Sequence, residues 1–104
     1  MAAPYNPPKK NEDWKIRISL DDYNVPGRAK TNPTLASGDA KVDKDGGGLN
    51  NLATLPSVSP AGSKLVLLEL SATEMNADVV SIVISDQTEP PEWADWILSI
   101  PTTA

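Results

Sequence analysis

The sequence predicts an all-β domain, an antiparallel β-sandwich of six to eight strands. Three observations carry this. Aliphatic residues alternate with polar or outward ones in "WKIRISL", "SKLVLLEL" and "DVVSIVISD", the period-two pattern of strands buried on one face. Prolines at 33, 56 and 60 confine the central segment to sheet edges and turns. A helix-capping signal in "ELSATEMNAD" separates the two most aliphatic runs, where a single turn would carry the chain from one sheet to the other.

Each element follows from its residues. Residues 1–13 combine prolines, lysines and polar side chains and cannot bury much surface, so they are expected to form an extended arm, flexible unless bound, ahead of one domain over residues 14–104. Tyr5 is the arm's only large apolar group, and together with Pro7 and Pro8 it is a candidate contact with a neighbouring subunit. The first strand places Ile16, Ile18 and Leu20 on one face and Lys15, Arg17 and Ser19 on the other. "DDYNVPG" then supplies turn formers. Residues 28–31 and 39–43 are expected as short edge strands, and Gly46–Gly48 as a hairpin tip.

The second half is more regular. Val66, Leu68 and Leu70 share one face, as do Val80, Ile82 and Ile84, and Trp96, Leu98 and Ile100. These three runs are expected at the centre of the sheets, with the first strand beside them. Between them, Ser71 is the N-cap candidate and Glu74 its reciprocal partner three residues on. A short helical turn is expected near residues 72–76, ended by Asn76 in a left-handed conformation, with Met75 plugging the end of the core. The broad architecture is immunoglobulin-like, with a small jelly roll as the alternative.

Composition restricts the chemistry. The formal charge is −5, which disfavours nucleic acid and anionic membrane surfaces as partners. Without cysteine or histidine there is no disulfide, no ordinary zinc ligand set and no histidine base for a nucleophile. No run approaches membrane-spanning length, and "MAAPYNPPKK" lacks the apolar core of a signal peptide. Gly46–Gly48 lacks the Lys-Ser/Thr pair of a phosphate loop. In "KVDKDGGG", Asp43, Asp45 and Gly46 match inner positions of an EF-hand loop, but Lys41 and Leu52 fall where carboxylates are required. That leaves a solvated acidic turn, or at most a weak cation site of no known pattern. Glu89, Glu92 and Asp95 could supply paired carboxylates for glycoside hydrolysis, but so small a sandwich rarely offers the cleft. The expectation is a protein with no enzymatic activity, cofactor or metal.

"QTEPPEWADW" is the most unusual stretch. Its prolines enforce an extended approach, and on a strand Trp93 and Trp96 would lie on opposite faces, one in the core and one near the surface. In one reading of the residues both are packed within the domain edge; in another the outward tryptophan anchors a partner protein. A third, sugar stacking, would draw on Gln87, Glu92 and Asp95.

The run "LPSVSPAGSKLVLLELSATEMNADVVSIVISD", followed by a tryptophan-containing strand ending in "SIPTT", resembles a β-sandwich module of tailed-bacteriophage structural proteins, of the baseplate, fibre-proximal or accessory type. In that family a strand of the form G-x-Y-x-L-x-L-T leads into A-x-E-M-N-A-D, an aliphatic strand and a terminal I-x-T. The likeness covers about residues 14–103 and is closest over Leu65–Ile84. Ser71 stands where threonine is usual, and Leu67 or Leu68 where an aromatic is frequent. The resemblance implies a non-enzymatic virion component made in the host cytoplasm, a small multicopy accessory protein at the head–tail connector or fibre attachment region. Its partners would be other virion structural proteins and further copies of itself. A capsid decoration protein and a carbohydrate-binding module are the alternatives.

Overall fold

In the computed structural model, which describes residues 7–103, the alternating runs form seven strands in two packed antiparallel sheets. They are β1 (Trp14–Ile18), β2 (Ala40–Lys44), β3 (Leu49–Asn51), β4 (Ser57–Val58), β5 (Val66–Leu70), β6 (Val79–Ile84) and β7 (Trp96–Pro101). One sheet has the order β1-β5-β4, the other β3-β2-β6-β7.

Register brings the apolar sets together. Ile16 lies opposite Leu68 and Ile18 opposite Val66 in the smaller sheet. Val42 lies opposite Ile82, and Ile82 opposite Leu98, in the larger. Because side chains alternate across a strand, one register fixes every inward residue. Val66, Leu68, Val80, Ile82 and Ile84 are completely buried in a core that draws on both sheets. Each such side chain contributes about 1.5–3 kcal/mol by leaving water. Met75, expected to plug the core, is completely buried in it.

The strand pattern differs from expectation in four places. Residues 39–43, expected as a short edge strand, form β2 inside the larger sheet, paired on one side with β3 and on the other with β6. The run at 96–101 is an outer strand, bonded among the described strands to β6 alone. Residues 28–31 contribute only a single bridge, Ala29 to Asp21, because the chain there folds back on its own hairpin. No helix forms at 72–76. The capping-box bonds are present, Glu74 N–H to Ser71 Oγ at 3.2 Å and Ser71 N–H to Glu74 Oε1 at 2.8 Å. They close a hydrogen-bonded turn, in which Met75 N–H reaches Ser71 O, before Ala77 N–H already turns back to Met75 O. Asn76 does not adopt the left-handed conformation; Asn11, Asn32 and Asp45 do.

The start of the described chain is tied down. Lys10 N–H donates to Thr103 O and Thr103 N–H to Pro8 O, so Lys9 pairs in parallel with Thr103. Asn11 N–H donates to Met75 O, and the Asp13 carboxylate caps Ala72 N–H at 2.8 Å. Residues 8–13, expected as part of a free arm, are therefore stitched along the domain. Tyr5 lies outside the described residues.

Candidate functional site

Carboxylates hold the loops that frame the surface. Asp43 accepts the N–H groups of Gly46 and Gly48 inside the β2–β3 hairpin. Asp45 accepts those of Asp78 and Val79 across the sheet end. The loop "KVDKDGGG" thus uses its acidic groups as backbone acceptors, and among the described residues no cluster of three or more acidic side chains is placed to hold a metal. Asp39 bonds Ala36 and Gln87 N–H, and Asp86 bonds Thr88 and Glu92 N–H. Burial pushes the Asp86 carboxyl up, but the donors from Glu92 and Thr88 outweigh it and hold it below the usual carboxylate range.

Glu92 and Asp95 are used in the same way. Glu92 caps Thr34 N–H, and Asp95 accepts the Ser85 hydroxyl. These assignments make them supports of the loop that carries Trp93.

Trp93 is 1% exposed, and its indole N–H points at Ile84 O at 3.4 Å. The strand begins only at Trp96, so the period-two relation between the two tryptophans does not hold: residue 93 pairs instead with Asp22. Trp96 is half-buried and packs against the core, and Trp14 is also buried. The three tryptophans therefore build no exposed platform for stacking a sugar. Pro7 and Pro8 are half-buried, Pro8 through its bond from Thr103.

A cleft of about 620 Å³ opens between the β2–β3 hairpin and the Ser71–Asn76 turn, lined by Val42, Lys44, Asn50, Asn51, Thr73 and Glu74. Its charged groups are engaged: Lys44 Nζ donates to Thr73 O, and the Glu74 carboxylate accepts Ser71 N–H and Ala53 N–H. The cleft reads as the seam where a turn is fastened to a hairpin.

The outer edge of β7 is different. Asp45 N–H bonds Val79 O and Ser85 N–H bonds Asp39 O, so the odd-numbered residues of β6 face β2 and the even-numbered ones face β7. Thr102 N–H bonds Asp78 O, which continues the same alternation. Trp96, Leu98 and Ile100 thus direct their backbone groups to β6, while Ile97, Ser99 and Pro101 direct theirs outward. Pro101 fits there because its missing N–H would have pointed away from the sheet. Thr103, the next outward residue, is the one already paired with the N-terminal segment. No described residue pairs with Ile97 or Ser99 on that side.

The side chains there are uncharged. Ile97 is 67% exposed and lies opposite Val83, while Ser81 and Ser99 share a hydrogen bond at 2.9 Å between their hydroxyls. Across β6, the same outer face carries Lys41 and Asp43. Charge is therefore concentrated away from the β7 edge. Sequence reading missed this edge, since it placed Trp96–Pro101 among the central strands. Only Pro101 signalled it. No protein-family model, curated protein or solved structure matches the chain.

Proposed function

We propose that the chain is a non-enzymatic structural subunit that works by protein–protein assembly, as a small multicopy component of a tailed-phage particle. The single observation that carries the assembly reading is the β7 edge: a strand with outward-directed donors, no charged side chain and a 67%-exposed isoleucine. Folded proteins ordinarily blunt such edges with lysine, bulges or covering segments. Loops stapled by carboxylates supply a rigid body to present it. The phage setting is supported by the resemblance around Leu65–Ile84, and the strand orders are compatible with an immunoglobulin-like sandwich.

Quantitative mass spectrometry of particles purified from the chain's source tests this. The expected result is a fixed number of copies per particle, on the order of a dozen for a connector or fibre site and hundreds for a shell decoration. Abundant chain in the lysate with none in the particles would sink the reading.

A further inference from the structure

We infer that the cleft between the β2–β3 hairpin and the turn at residues 71–76 is a binding site for a neutral mono- or disaccharide. A site of this kind goes beyond the assembly reading and does not depend on it.

The cleft is braced open by two side-chain bonds, one at each end of β3. Lys44 Nζ reaches Thr73 O at 3.0 Å beside the hairpin tip, and the Glu74 carboxylate takes Ala53 N–H at 2.9 Å where the chain has left β3. Both braces land on the same turn, which the reciprocal bonds of Ser71 and Glu74 keep closed. The volume between them, about 620 Å³, lies inside the ~300–1,000 Å³ range of small-molecule sites.

Unused hydrogen-bonding groups face this space. Asn50 lies opposite Val42 in the β2–β3 ladder, so its side chain shares the face on which Val42 enters the core. The Asn50 carboxamide and the Thr73 hydroxyl line the cleft, and neither is bonded to another described residue. Leu52 N–H bonds Ala40 O, so Asn51 turns its own N–H and C=O away from β2, at the rim of the cleft. Val42 and Ala53 add apolar surface.

These groups discriminate among ligand classes. Lys44 and Glu74 bring one charge of each sign, each is bonded to backbone, and neither joins an ion pair among the described residues. A phosphate or carboxylate would meet the Glu74 carboxylate, and a cation would meet Lys44. A flat aromatic ligand would find no ring to stack on, since no aromatic side chain lines the cleft. A peptide strand could extend the sheet along only the three residues of β3, and the two braces stand across its path. A sugar suits what remains. A carboxamide offers a donor and an acceptor side by side, which matches two neighbouring hydroxyls, while the C–H face of the ring covers Val42 and Ala53. Without an aromatic platform the affinity is millimolar. Because β3 and β7 are opposite margins of one sheet, an occupied cleft leaves the β7 edge untouched.

Amide chemical-shift titration of the full chain tests this, with glucose, galactose, N-acetylglucosamine, maltose, lactose and diacetylchitobiose each taken to ~50 mM, well above a millimolar Kd. At least one is expected to give saturating shifts confined to residues 47–53 and 71–74. Asn50→Ala, at an exposed side chain that holds no other bond, should weaken that binding about tenfold, and Thr73→Val should weaken it less. Asn24→Ala, on the exposed hairpin at residues 21–29, should leave it unchanged. Silence across the panel, saturating shifts elsewhere, or an Asn50→Ala variant that binds like the parent would overturn the proposal. So would equal shifts from glycerol, which would mark a cosolvent effect, or tighter binding of glucuronate or inorganic phosphate, which would mark a charged site. Sugar binding by a chain that is absent from particles leaves this site standing and refutes only the phage setting.

Discussion

Replacing Trp93 by alanine is expected to cost about 3–5 kcal/mol, the largest loss of any single truncation in the chain. Its indole is 1% exposed and seals the sandwich beside Ile84, and no solvent-facing loop can collapse into so large a void. A domain of this size is stable by only about 5–15 kcal/mol, so the variant would sit near its unfolding threshold. Urea unfolding of the two proteins measures the difference. Trp93→Phe should recover much of it by refilling the volume, though the bond to Ile84 O is lost. A loss under about 1 kcal/mol for the alanine variant would mean that the side chain is not enclosed.

Glu74→Ala should cost about 2–4 kcal/mol, far more than an ordinary surface glutamate. The carboxylate is 8% exposed and holds two backbone donors at once, Ser71 N–H at 2.8 Å and Ala53 N–H at 2.9 Å. Truncation leaves both donors short of a partner at the seam between the turn and the chain following β3. Ser71→Ala removes only the Oγ acceptor of Glu74 N–H, and should cost about 1 kcal/mol. Thermal or denaturant unfolding of both variants gives the comparison, and equal losses would show that the bond to Ala53 contributes nothing.

Glu74 also marks how far the sequence could be read. The capping box over Ser71 and Glu74 is a local pattern, and both of its bonds form. The second carboxylate oxygen goes to Ala53, 21 residues away, and no local pattern announces such a tie. The helical turn expected there fails for a physical reason: the chain redirects immediately after Met75 to enter β6, so the cap closes a turn and nothing propagates from it. The inward sets of β1, β5 and β6 were legible because period-two alternation is a property of each strand by itself. The position of β7 was not. Its run "WILSIP" shows the same inward alternation as an interior strand, and whether a neighbour lies beyond it depends on where other segments end. The acidic residues were similarly opaque. Asp45 reads as part of a solvated acidic turn in sequence and nothing local marks Asp39 or Asp86, yet each caps backbone donors that tertiary structure brings to it.

Trp93 and Trp96 show the same limit. Their spacing implied opposite faces only if both lay on one strand. The strand starts at Trp96, and Trp93 belongs to the loop that reaches back to Asp22.

Amide hydrogen exchange along Trp96–Ile100 in dilute solution bears most directly on this account. A one-sided outer strand predicts alternation: slow exchange at Trp96, Leu98 and Ile100, whose amides meet β6, and fast exchange at Ile97 and Ser99. Uniform protection of all five amides in dilute monomer would show a strand covered on both sides, and the assembly edge would not exist.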